Sequence, residues 1–106
     1  MQGTCLKIYL TEIQKHDGKL LYEWILEQAK HVGVPGGSVF RAVAGYGRHG
    51  KLHEETFFEL AADLPIELEF VASDELIGQL LALLERERLR LFYVKFPVTA
   101  GLIGDA

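Results

Sequence analysis

Hydrophobic and polar positions alternate from the start of the chain. Between Thr4 and Leu10, Leu6, Ile8 and Leu10 fall on one side and Cys5, Lys7 and Tyr9 on the other, which predicts a strand. Lys15, His16, Asp17 and Gly18 form a turn signal. The period then lengthens. From Lys19 to Val32, Leu21, Trp24, Ile25, Gln28 and Val32 share one helical face, Glu23, Glu27 and Lys30 lie opposite, and Gly33 supplies a stop. A second strand is predicted over Ser38 to Ala44. A third, Leu64 to Ala72, alternates Ile66, Leu68 and Phe70 with Glu67 and Glu69. Ser73 reads as an N-cap with Asp74 and Glu75 in the first turn of a helix reaching about Arg88, its apolar face carrying Leu76, Leu80, Leu81 and Leu84. Leu91 to Phe96 is the last predicted strand, ended by Pro97, and the tail from Val98 to Ala106 is expected to be irregular.

The order βαββαβ specifies an α+β, ferredoxin-like fold: a four-stranded antiparallel sheet with two helices on one face. Residues 1–106 are expected to form a single domain. The sets Leu6/Ile8/Leu10, Phe40/Ala42/Ala44, Ile66/Leu68/Phe70 and Phe92/Val94/Phe96 are expected beneath the helices. The opposite face would then show Lys7, Tyr9, Val39, Arg41, Val43, Glu67, Glu69, Val71, Leu91, Tyr93 and Lys95. Basic residues on three strands would face acidic residues on the third, allowing cross-strand pairs. Tyr9, Tyr93 and the valines favour an interface between subunits over a solvated sheet face.

Composition narrows the function. Apolar residues make up 49% and charged residues 25%, enough for a packed core. A net charge of −4 argues against a nucleic-acid partner, which needs concentrated positive charge. A single cysteine, Cys5, rules out an internal disulfide and fits a reducing compartment. No run approaches the ~20 apolar residues of a membrane span, and no signal-peptide pattern opens the chain, so a cytoplasmic protein is expected.

The densest chemistry lies between Gly33 and Phe58. A glycine-rich turn (Val34, Pro35, Gly36, Gly37) feeds the second strand, which ends in Gly45-Tyr46-Gly47-Arg48. The next segment carries His49, Lys51, His53, Glu54 and Glu55, and is expected to be a flexible loop over 48–60. Glycines let a backbone approach a ligand, and arginine offers a planar fork for phosphate or carboxylate. The candidate ligand-binding set is Gly45, Tyr46, Gly47, Arg48, His49 and Lys51. His49 and His53, four apart, are a candidate metal pair if the segment turns helically. His16 and His31 read as surface residues, Cys5 as a packed residue, and two of Arg86, Arg88 and Arg90 as a solvated helix end, the third being a candidate anion contact at a cleft between subunits. No nucleophile–base set is discernible, so a non-enzymatic protein is expected.

These residues resemble the PII signalling proteins. Gly33-Val34-x-Gly-x-x-Val39 followed by Gly45-Tyr46-Gly47-Arg48 is similar to the family's GV-G-TV stretch and the G-F-G-R segment that opens its long T-loop. The third strand and acidic-capped helix, IELEFVASDELIGQLLALL, extend the similarity over most of residues 4 to 96. Within the superfamily the chain looks closest to a PII-like branch of unknown function. The resemblance implies a homotrimer whose sheets line a central barrel. It also implies clefts between subunits that take a small anionic ligand such as an adenine nucleotide, and a loop that docks on a transporter or enzyme partner.

The chain departs from that pattern in four places. No tyrosine lies between Arg48 and Phe58, so nucleotidylation is not expected. His49 stands where the family has a glutamine used for metal and 2-oxoglutarate. The loop is shorter than the family's. The phosphate-binding TG-x-x-GDG loop before the last strand is replaced by Glu85 to Arg90, while a similar string, Thr99 to Asp105, follows that strand. The alternative reading is a metal-ion-binding or ion-tolerance protein of the same fold, similar to the trimeric copper-tolerance relatives and using His49 and His53. An acylphosphatase would need a glycine- and arginine-bearing loop where Thr11 to Lys15 stands, and an RNA binder is disfavoured by Glu67 and Glu69.

Overall fold

The computed structural model describes residues 1–45 and 65–104. Strand β1 (Gln2–Thr11) leads into a small hairpin, β2 (Lys15–His16) and β3 (Lys19–Leu20), then α1 (Leu21–Val32) and β4 (Gly37–Arg41). Strand β5 (Pro65–Ala72), α2 (Asp74–Arg86) and β6 (Phe92–Thr99) complete the described elements. The main sheet has the order β4-β5-β1-β6, antiparallel throughout. This is the ferredoxin-like arrangement, with two helices over one face and the hairpin as an addition to it.

Local chemistry sets the element ends. The hairpin turns on Asp17 (φ 52°) and Gly18 (φ 81°), the paired left-handed conformations of a two-residue turn. Gly33, at φ 112°, closes α1, and the Val34 amide donates back to the Ala29 carbonyl at 3.0 Å. Ser73 caps α2 by accepting from the Leu76 amide at 3.2 Å. Thr4 donates to Asp74 at 2.5 Å, tying β1 to that helix start.

The core sits between the helices and the two central strands. Leu6, Ile8, Leu68 and Phe70 from the sheet meet Ile25 and Ala29 from α1 and Ile77, Leu80 and Leu84 from α2, all buried. Ile77 and Ala29 extend the apolar faces read from the sequence, and Trp24, Leu76 and Leu81 pack at their margins.

The edge strands overturn part of the sequence reading. Directly paired residues share a face of the sheet. Val39 pairs with Leu68 and Arg41 with Ile66, so these two lie on the helix side, and Phe40, paired with Glu67, lies on the open side. On β6, Tyr93 and Lys95 pair with Ile8 and Leu6 and share the helix side, whereas Phe92, Val94 and Phe96 pair with Tyr9, Lys7 and Cys5 on the open side. The expected assignment of faces is inverted on both edges. Alternation separates two sets of side chains, but only pairing register says which set turns inward. Two shorter corrections follow. Strand β4 ends at Arg41, with Ala42 half-buried and Ala44 exposed. Strand β6 runs through Pro97 to Thr99, as an edge strand permits, and the Ala100 amide donates to the Met1 carbonyl at 2.8 Å.

Candidate functional site

Pairing of β4 with β5 fixes the base of the long connection between them. Arg41 lies opposite Ile66, and the Ala42 amide donates to the Pro65 carbonyl at 2.9 Å. The segment therefore leaves and re-enters the sheet at one point on its outer edge. Of the sequence-predicted ligand residues, Gly45 is exposed just beyond β4, with open space on the side where a Cβ would stand. Tyr46, Gly47, Arg48, His49 and Lys51, with the candidate metal residue His53, lie outside the described residues.

A cleft of about 390 Å³ opens on the helix-free side of this edge, lined by Gly36, Gly37, Ser38, Glu69 and Val71. A Cβ on Gly36 would meet nothing, whereas one on Gly37 would strike the Phe70 ring at 2.5 Å from Cε1. Gly37 is thus required by the core, since it pairs with Phe70 and its Cβ side faces the helices. The doubled glycine was the sequence signal for this cleft, although Gly36 and Gly37 were not among the predicted ligand residues. Glu69 does not leave the cleft floor simply acidic, because Lys7 on β1 lies 3.8 Å from Glu69 and 4.0 Å from Glu67. These are the cross-strand charge pairs expected of that face, but of the basic residues assigned to it only Lys7 is there.

A second cleft, of about 280 Å³, lies on the helix side and is lined by Glu12, Tyr22, Val39, Arg41 and Ile66. Arg41 donates through Nε (3.0 Å) and Nη2 (2.5 Å) to the two oxygens of Glu12. This hydrogen-bonded fork holds the Glu12 carboxyl below its ordinary pKa of 4.5 and raises that of Arg41.

The open sheet face carries exposed aromatic groups at both edges, with Lys7, Glu67 and Glu69 on the strands between them. Phe40, Phe92 and Phe96 are 50%, 48% and 40% exposed. Tyr9 stacks obliquely on Phe92 with ring centres 5.7 Å apart, and the Lys7 ammonium sits 5.8 Å from the centre of the Phe96 ring. Cys5 is buried within this face; burial first, then the Glu69 carboxylate, push its thiol pKa up. That environment suits a packed thiol rather than a nucleophile.

His16 differs from its sequence reading. It is half-buried, its ring edge-on to Trp24 with centres 4.5 Å apart, and its Nε2 lies 3.0 Å from Glu87 Oε1. His31 is exposed as expected, and so are Arg86, Arg88 and Arg90. Among the described residues, no helix is long and apolar enough to cross a membrane.

Comparison with known proteins agrees with this architecture. The model of the family DUF190 (Uncharacterized ACR, COG1993) matches residues 3–89. A UPF0166 protein of Aquifex aeolicus is 37% identical over 76 residues, 72% of each chain. A UPF0166 protein of Methanocaldococcus jannaschii is 38% identical over 81 residues, 76% of this chain and 74% of that one. Among solved structures, CPII from Thiomonas intermedia K12 bound to ADP and bicarbonate superposes with a TM-score of 0.67 at 21% identity, covering 96% of this chain and 91% of that one. The apo form of CPII, described as a nitrogen regulatory PII-like protein, gives 0.53 at 18% identity with 92% of each chain covered. These structural matches establish the fold.

Proposed function

The chain belongs to the DUF190 family, and from that premise we propose that it is a PII-like regulatory protein, acting by binding rather than by catalysis. It assembles as a homotrimer through the helix-free sheet face. It takes a small anionic ligand, an adenine nucleotide foremost, in clefts between subunits, and regulates a partner such as a transporter or enzyme through the 48–58 loop. The observation that carries this reading is the exposed aromatics on a face that neither described helix covers, Phe40 at one edge and Phe92 and Phe96 at the other. A surface of this kind marks an interface. The Gly36–Gly37–Ser38 cleft opens on the same side, where a neighbouring subunit would wall it. The GYGR segment begins at the same sheet edge, which would bring Gly45, Tyr46, Gly47, Arg48, His49 and Lys51 to the ligand. The CPII complexes with ADP, AMP and bicarbonate support the ligand class.

Two measurements test the proposal. Sedimentation should give three times the chain mass at micromolar concentration. Calorimetry against ATP, ADP and AMP should show binding to the wild type that Arg48→Ala weakens about tenfold, the loss of one charge-assisted hydrogen bond. A folded monomer would sink the assembly, and a trimer indifferent to all three nucleotides would sink the ligand.

A further inference from the structure

A cluster far along the chain from the glycine cleft has the chemistry of a metal centre. His16 ends β2, Asp17 is the first residue of the hairpin turn, and Glu87 caps the C-terminus of α2. Their donor atoms lie within 4.8 Å of one another. The Nε2 of His16 is 3.0 Å from Glu87 Oε1 and 3.6 Å from Asp17 Oδ2. Metal–donor bonds of ~2.0–2.2 Å arranged tetrahedrally place neighbouring donors about 3.3 Å apart, between these two separations. We propose that His16, Asp17 and Glu87 form a binding site for a first-row divalent cation of the zinc type, with solvent completing the coordination. This goes beyond the nucleotide reading and uses none of its residues.

Three features make the site more than a chance meeting of surface groups. The imidazole is held in place: only 15% of the His16 side chain is exposed, and Trp24 packs edge-on against it. The donors come from two separated segments, so folding itself brings Glu87 to the hairpin. The left-handed backbone of Asp17 sets its carboxylate beside the ring one residue earlier. One imidazole with two carboxylates is a donor set that suits zinc and its first-row neighbours. The two carboxylates beside the ring supply negative charge that a dication would compensate. Lys19, paired with His16 across the hairpin, is drawn to Glu27 on α1 at 3.2 Å, while Lys15, Arg86 and Arg88 flank the ligands in the chain. When the cation is bound, the Nε2 lone pair faces it and the ring proton resides on Nδ1.

Trp24 is the only tryptophan and touches the proposed ligand, so it reports occupancy. Co²⁺ titrated into the full chain without nucleotide should quench tryptophan fluorescence to saturation at one ion per chain. Zn²⁺ should reverse the quench by competition, and EDTA should abolish it. His16→Gln and Glu87→Gln, each checked for native circular dichroism, should weaken Co²⁺ binding at least about tenfold, as expected when a ligand is lost. A His49→Ala/His53→Ala double variant should retain the quench. Absence of quenching in the wild type, or quenching unchanged in a folded Glu87→Gln variant, overturns the site. Because Glu87 is exposed, that variant keeps the test decisive even if His16→Gln fails to fold. A monomer that binds Co²⁺ would refute only the trimer, and a nucleotide-binding trimer that ignores Co²⁺ would refute only this site.

Discussion

The two central strands and the two edge strands use the same alternation for opposite ends. In β1 and β5 the apolar set turns toward the helices: Leu6, Ile8, Leu68 and Phe70 are all at most 1% exposed. In β6 the apolar set Phe92, Val94 and Phe96 turns away from them, leaving Tyr93 and Lys95 on the helix side. In β4 the aromatic Phe40 likewise faces away, while Arg41 takes the helix side and is neutralised by Glu12. The helices pack over the middle of the sheet and leave its edges uncovered. An edge residue on the helix side meets water, so polar groups suit it. Apolar groups on the other side of the same strands need a different cover, which the proposed assembly would supply with a second copy of the chain. On the proposed reading the edges serve assembly, as the centre serves folding.

The sharpest way to break this contrast is to truncate each region in turn. Leu68→Ala, in the fully buried centre, should lower unfolding free energy by about 2–5 kcal/mol in chemical denaturation. If the loss were no greater than at an exposed site, the core would be misplaced. Next comes Gly37, where edge and centre meet. An alanine there drives a methyl into the Phe70 ring, which is buried and cannot swing aside, so Gly37→Ala should cost about 1–3 kcal/mol. Gly36→Ala, with open space around it, should unfold like the wild type.

At the edge itself, Phe92→Ser with Phe96→Ser should change the stability of an isolated chain by less than about 1 kcal/mol per site, since both rings are already two-fifths or more exposed. The same pair should instead shift the sedimenting mass toward that of one chain. A double variant that keeps its assembly would separate this face from the interface.

The smallest effect belongs to Glu12. Its folded-state pKa is lowered by the Arg41 hydrogen bond, so its contribution is present above the ordinary value of 4.5 and fades as pH falls through the lowered one. Glu12→Gln should flatten the decline in thermal midpoint below that pH and leave a modest difference at neutrality. An acid profile identical to the wild type would mean that the fork at the second cleft contributes nothing in solution.

The amino-acid sequence by itself determined the order of the main-sheet strands and the two helices, though not the β2–β3 hairpin, together with the caps at Gly33 and Ser73, the central apolar sets and the position of the glycine-rich turn. Each of these is a local property: helical or strand period, a left-handed glycine, a hydroxyl beside the first turn of a helix. The PII likeness was legible for a related reason, because its motif is contiguous. What only the tertiary structure decided depends on partners distant in the chain. Pairing register set which face each edge strand presents, and so moved Phe40, Phe92 and Phe96 to the open side and Arg41 to Glu12. The meeting of His16 with Glu87, 71 residues away, depends on where α2 ends against the hairpin. No local period records that distance, because it is set by how helix and sheet pack together.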